Sequence, residues 1–239
     1  MNYISENKKF WNRTYHAPNV EGFIFRLKPL ILDEFINFKN KKKFEVLDYG
    51  CGEGTNVIYL SKKYGFNSFG VDISESSIKE CKKKIKQNKN NFKLINVKPN
   101  IKDNFFKRKF DLIISIQTLY YYSDSDLNLR LESFRNMLKP NGYVYFSMIS
   151  PKSVCYKFFS DKKKDKNGLS LISEEKNTSF KKRQKEKMKT LKHYVNFTKS
   201  EKDLKNKFKI FKPLKVGYYD LAIQSSHPSH HYTFFGKLK

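Results

Sequence analysis

Apolar positions along the chain alternate between two patterns. Short apolar runs bounded by glycine, proline or polar turns read as buried strands. They fall at Phe44–Tyr49, Phe66–Val71, Phe92–Val97, Phe110–Ile116, Tyr143–Ile149, Phe208–Val216 and Tyr232–Lys237. Between most of them the spacing changes to that of a helix face. Thr55–Tyr64 is one such stretch. Glu75–Gln87, with Ser74 as its cap and Ile78, Cys81 and Ile85 inward, is the next. A third is opened by Asp124 or Asp126 and carries Leu127, Leu131, Phe134 and Leu138 inward. Phe197–Glu201 opens a further, capped helix, and Phe23–Phe38 forms a stripe that Pro29 kinks or delays. The run at Phe110–Ile116 is the most apolar and predicts a central strand. Strands alternating with helices predict an α/β fold, a doubly wound sheet with helices on both faces. Ser150–His193 shows no sheet period and reads as a basic loop.

The link between the first two strands carries the chemistry. Gly50-Cys51-Gly52-Glu53-Gly54 follows the first strand directly, and a helix opens at Thr55. Glycines let the backbone turn sharply and let a ligand approach main-chain N–H groups. The helix start presents free N–H groups and a positive dipole end. Asp72 ends the second strand, where a carboxylate accepts ribose hydroxyls. A dinucleotide loop, G-x-G-x-x-G, needs its third glycine where Thr55 stands. The spacing is instead Asp48, Gly50, Gly52, Gly54. An acid just before the loop repels a pyrophosphate. It suits a ligand with no phosphate and a positive charge, such as the ammonium and sulfonium of S-adenosyl-L-methionine (SAM).

The string VLDYGCGEGTN resembles the first motif of class I SAM-dependent methyltransferases, and GVDIS their second, ribose-binding motif. LKPNGYVYF around the fifth strand is similar to the same family, so the motifs span residues 44–149. The resemblance implies a Rossmann-like seven-stranded sheet in the order 3-2-1-4-5-7-6, the last strand antiparallel, and SAM as cofactor. It implies that Gly50, Cys51, Gly52 and Gly54 wrap the methionine portion and ribose, with Asp48 near the ammonium. Asp72 then holds the ribose diol, Ile73 lies against the adenine, and Ile116 and Gln117 offer backbone groups to the methionine end. The segment Phe10-Trp11-Asn12-Arg13-Thr14-Tyr15 is similar to an F-W-x-x-x-Y lid, in which Trp11 and Tyr15 close over SAM; the same aromatics also suit docking of a helix on the core. The family's acid after the third strand is missing: Lys98-Pro99-Asn100 stand there, with none before Asp103. The (D/N)-P-P-(Y/F) string of amino-methylating DNA enzymes is also missing after the fourth strand. Side chains to serve as base are His16, Tyr121, Tyr122 and His230, with His231 beside it.

Length adds that 239 residues fit one domain. Its parts are an N-terminal lid and helix (1–43), a SAM-binding core (44–149), a basic insertion over the acceptor (150–195) and C-terminal strands (196–239). Met1–Phe10 is too polar for a signal peptide, and no run approaches the ~20 apolar residues of a membrane span. Cys51, Cys81 and Cys155 lie far apart, without metal spacing, and fit a reducing cytosol. The net charge of +26 points to an anionic partner, or to the drift of a chain rich in Lys, Asn, Ile, Phe and Tyr. The expected activity is therefore methyl transfer from SAM to a small or glycan-linked, anionic acceptor, with O-methylation ahead of N-methylation. RNA modification is the alternative that the charge raises, and a non-catalytic SAM-binding protein the one that the Lys98 departure raises.

Overall fold

The computed structural model of the chain describes residues 2–14, 44–84, 91–95, 98–173, 192–220 and 229–239. After α1 (Tyr3–Thr14) come β1 (Glu45–Tyr49), α2 (Thr55–Tyr64), β2 (Asn67–Asp72), α3 (Glu75–Lys84), β3 (Phe92–Leu94) and β4 (Phe110–Ser115). A 3-10 turn at Leu119–Tyr121 leads to α4 (Asp124–Met137) and β5 (Leu138–Ile149). Then follow β6 (Ser160–Lys164), β7 (Ser170–Ser173), β8 (Lys192–Val195), α5 (Glu201–Lys207), β9 (Phe211–Tyr219) and β10 (His231–Leu238).

Seven strands form one sheet in the order β3-β2-β1-β4-β5-β10-β9. Pairings from β3 to β5 are parallel, and β10 runs antiparallel between β5 and β9. This is the doubly wound, Rossmann-like sheet that the sequence implied, with its last strand antiparallel. The period-2 alternation of β1 divides the core. Leu47 and Tyr49 join Ile113, Phe134 and Phe146 on one face, while Val46 joins Leu60, Leu112, Ile114 and Phe235 on the other. Helix α2 stops where Gly65, at φ 69°, returns its N–H to the carbonyls of Leu60 and Ser61.

The structure corrects several expectations. The stretch from Ser150 to His193 is not a plain loop: β6, β7 and β8 make a three-stranded antiparallel sheet. Ile172 and Val195 carry it into the main core. Its pattern was hidden because β6 reads Ser-Asp-Lys-Lys-Lys and buries only its first residue. The cap of α4 is Ser123, whose Oγ accepts the Asp126 N–H at 3.2 Å, and not Asp124 or Asp126. Asp124 instead pairs with Lys207, and Asp126 accepts the Tyr3 hydroxyl, which ties α1 to the domain. Strand β9 begins at Phe211 because Phe208 closes α5 and packs inward. The Phe23–Phe38 stripe, Tyr15, His16 and the basic run Lys181–Lys185 lie outside the described residues. Among the described residues no helix is long and apolar enough to cross a membrane.

One polar group lies deep in the core. Arg130 is 0% exposed, pairs with Asp103 at 2.9 Å and lies against the rings of Tyr49, Phe105 and Phe134. Arg130→Ala removes both the charge partner and the packing of the stem. We expect a loss of about 3 kcal/mol in a denaturant titration. Asp103, the first acid after β3, is thus committed to Arg130.

Candidate functional site

The turn between β1 and α2 folds onto the end of β2. Gly50, Gly52 and Gly54 all have positive φ, at 78°, 51° and 79°. The N–H groups of Gly50 and Cys51 both donate to the Val71 carbonyl, at 2.8 and 3.0 Å. The Gly52 N–H donates to Asp72 Oδ2 and the Ser74 N–H to Asp72 Oδ1, each at 2.8 Å. Asp72 therefore holds the loop and the start of α3 together, with its remaining lone pairs left for a ligand. Burial pushes its carboxyl up, and the bonds from Ser74, Gly52 and Ile73 oppose this. Two of the glycines are also demanded by packing. A Cβ on Gly50 would lie 2.1 Å from Thr118 Oγ1, and one on Gly54 would lie 2.9 Å from the Phe92 ring. The Cys51 thiol faces the cluster of Val57, Ile78, Cys81 and Phe92, and its carbonyl accepts the Gly54 N–H at 2.9 Å.

Asp48, at the end of β1, is 1% exposed and its Oδ2 has no hydrogen-bond partner. Burial pushes its pKa up to about 7, opposed by the Asn56 side chain and helped by Asp72. Asp48 therefore keeps one buried oxygen unsatisfied just before the glycine turn. Its folded pKa lies above the usual value of 3.8, so protonated Asp48 stabilises the fold below about pH 4. That contribution is lost as pH rises through about 7. Asp48→Asn is therefore expected to leave stability unchanged at pH 4 and raise it at pH 8, by at most about 4 kcal/mol. Thermal melts at the two pH values check this. A bound ammonium favours the ionised carboxyl, so SAM binding should release a proton near neutral pH and weaken below it. Calorimetry in two buffers of different ionisation enthalpy reads that proton directly.

At the carboxyl end of β4 the chain turns through Gln117, whose φ is +56°. Its N–H donates to Ser147 Oγ at 2.8 Å, and Ser147 Oγ also accepts the Tyr219 hydroxyl at 3.4 Å. Ile116 packs half-buried beside Ile114, and Ile73 lies half-buried against the opposite core. His231 opens β10 opposite Ile149, at the edge where ligands sit in such sheets. Its Nδ1 lies 2.8 Å from the Ser229 carbonyl, so Nδ1 carries the proton. Its Nε2 is then an acceptor, buried and unpartnered. The ring stacks on Tyr219 at 5.0 Å, and burial lowers its pKa to about 4.

Of the three tyrosines, Tyr120 and Tyr121 keep their rings in contact, with centroids 4.6 Å apart, and Tyr122 turns away into the core. Tyr120 faces His231, with ring centroids 5.8 Å apart. Tyr121 packs edge-on to Trp11 at 5.4 Å and near His193 at 5.9 Å. Burial raises its hydroxyl well above the ordinary range, which removes it as a base. Tyr122 is also withdrawn as a base: its hydroxyl bonds to that of Tyr49 inside the core. His230 is held by Ser150 Oγ at 2.8 Å and stacks on Tyr218, so its Nδ1 is engaged. Thr118, Ser147, Tyr219 and His193 were not anticipated. Only folding brings them to this edge, and no local motif marks them.

A family model described as a methyltransferase domain matches residues 40–211. The phosphoethanolamine N-methyltransferase of Plasmodium falciparum is 27% identical over 121 residues, covering 51% of this chain and 43% of that protein. A highly reducing polyketide synthase of Gibberella fujikuroi is 28% identical over 132 residues, 52% of this chain and 5% of that protein. The chain thus spans less than half the length of either relative. A SAM-dependent methyltransferase of Anabaena variabilis has the same fold, with a TM-score of 0.66 at 17% identity, covering 100% of this chain and 96% of that one.

Proposed function

The chain belongs to the methyltransferase domain family, on the class I SAM-dependent fold, and from that premise we propose that it methylates a small or glycan-linked acceptor carrying an anionic group. The observation that carries this reading is the pair of acids around the glycine turn: Asp48 with an unsatisfied buried oxygen, and Asp72 clamping the loop. These residues fit SAM. Asp48 would meet its ammonium, Asp72 its ribose diol, Ile73 its adenine, and the backbone at Ile116 and Gln117 its methionine end. When bound, SAM supplies a methyl group on a positively charged sulfur, already activated for in-line displacement.

The protein's own part is alignment and exclusion of water. Trp11, on α1, packs edge-on to Tyr121 beyond the carboxyl end of β4 and would close over the donor from there. Among the side chains considered for proton handling, His231 takes the place of His230. Its fixed tautomer leaves Nε2 an acceptor on the first residue of β10, where it would take a hydrogen bond from the reacting N–H or O–H and so orient the nucleophile. A reacting carboxylate or phosphate oxygen would offer it no hydrogen. The anionic group of the acceptor belongs elsewhere on the molecule, where the lysine-rich surface favours it.

The sequence favours O-methylation. The Plasmodium relative brings forward an amine on an anionic small molecule as a second reading. Methyl-labelled SAM offered with a panel of sugar phosphates, phosphoethanolamine, hydroxy acids and transfer RNA separates these. Transfer to a small anionic acceptor is the expected result. Transfer to RNA alone, with a steep salt dependence, would replace this reading by RNA modification. SAM binding with no transfer to any of them would favour the sensor reading.

A further inference from the structure

The second half of β5 places Val144, Tyr145, Phe146, Met148 and Ile149 around one serine, Ser147, which is 0% exposed. A buried hydroxyl costs stability unless it is hydrogen-bonded, and a β-branched apolar residue would suit a central strand better. Ser147 is bonded, and to a group beyond the strand pairings. Its Oγ accepts the Gln117 N–H at 2.8 Å. The Tyr219 hydroxyl donates to the same oxygen at 3.4 Å and holds it from the side of β9.

The bond to Gln117 stands where the parallel ladder ends. Strand β4 pairs with β5 as far as Ser115 opposite Phe146. Just past that pair a side-chain hydroxyl, not a backbone carbonyl, receives the N–H. The chain turns away there with Gln117 at φ 56°. The other described non-glycine residues at positive φ, Lys107, Asn141 and Lys162, are exposed, whereas Gln117 is half-buried at the end of a central strand. Backbone strain of this kind persists where neighbours hold it, and it gathers at ligand sites. Thr118 supplies the rest of the hold. Its Oγ1 donates to the Ile116 carbonyl at 3.1 Å, and its side chain fills the space that a Cβ on Gly50 would need. The turn is thus fixed between the glycine loop on one side and Ser147 on the other.

We propose that Ser147 is a positioning residue for the donor: by holding the Gln117 N–H it aims the Ile116–Gln117 backbone at the amino-acid end of SAM. The inference rests on the methyltransferase reading and deepens it, since it says which part of the donor Ser147 serves. Ser147 acts through the turn rather than on the ligand. Without its hydroxyl the strained turn relaxes, and the peptide groups of the turn lose their direction. The adenosine end, assigned to Asp72 and Ile73, is unaffected.

Two ligands separate these ends. S-adenosylhomocysteine carries both, and 5′-methylthioadenosine lacks the amino-acid group. The full wild-type chain and Ser147→Ala are titrated with each by calorimetry. The variant is expected to bind S-adenosylhomocysteine about tenfold more weakly, the worth of one aligned hydrogen bond, and 5′-methylthioadenosine within about twofold of wild type. Equal weakening of both would make Ser147 a support of the fold alone and overturn the proposal. Unchanged binding of both would overturn it as well. The wild type gives a second reading that does not depend on the variant. S-adenosylhomocysteine should slow hydrogen exchange at the Gln117 amide, read by NMR, about tenfold more than 5′-methylthioadenosine does. Equal protection by the two ligands would overturn the proposal. Failure of the wild type to bind S-adenosylhomocysteine would instead strike the family-based reading beneath it.

Discussion

Gly50→Ala is expected to lower SAM affinity at least 100-fold and to cost the fold about 2–6 kcal/mol, the sum of backbone strain and overpacking. Gly50 sits at φ 78°, a conformation that a side chain resists. The added Cβ would also fall 2.1, 2.4 and 2.7 Å from Thr118 Oγ1, Cγ2 and Cβ. The last of these atoms is fixed to the backbone, so the turn at the end of β4 must move. That movement separates the two edges which frame the donor. The double variant with Thr118→Gly removes the collision and leaves the φ strain. Recovery of part of the stability, read as thermal midpoint, together with part of the binding is the expected outcome. No recovery would mean that Gly50 acts through φ alone.

Asp72→Ala is the second large effect. It leaves the buried N–H groups of Gly52 and Ser74 without an acceptor, at about 1–3 kcal/mol each, and removes the acid placed for the ribose. SAM binding should fall at least 100-fold. Loss of loop order and loss of a ribose contact both contribute, and a ligand change separates them. If the carboxylate holds the diol, 2′-deoxy-S-adenosylhomocysteine should bind the wild type about tenfold more weakly than the parent ligand. In Asp72→Ala the two ligands should bind alike. Such coupling is the signature of direct contact. Equal discrimination in both proteins would reduce Asp72 to a brace of the loop.

The strand frame was legible because buried strands leave contiguous apolar runs, as at Phe110–Ser115, and because the glycine turn has its acids at fixed distances. What failed has particular causes. The small sheet escaped because serines stand at buried positions, Ser160, Ser170 and Ser173, and lysines fill the exposed end of β6. Ser123 was passed over as a cap because two aspartates beside it have the same propensity, and only the backbone decides which residue sits outside the first turn. Tyr120, Tyr121 and Tyr122 are identical side chains in a row. A 3-10 turn sends one toward His231, one toward Trp11 and His193, and one into the core against Tyr49. Nothing local distinguishes them. His193 stands far in sequence from Phe10 and packs on its ring at 4.1 Å only because β8 pairs with β7 and α1 docks on β8. The glycine at position 50 was read as access for a ligand, and it also serves the approach of Thr118.

The central claim is that the paired acids and the glycine turn receive SAM. Calorimetric titration of the full chain with SAM, with S-adenosylhomocysteine and with NAD tests it most directly. The account predicts saturable one-site binding of the first two in the micromolar range, with proton release near neutral pH that disappears in Asp48→Asn. Binding of NAD with none of SAM would contradict it, since a pyrophosphate would then be lying against Asp48.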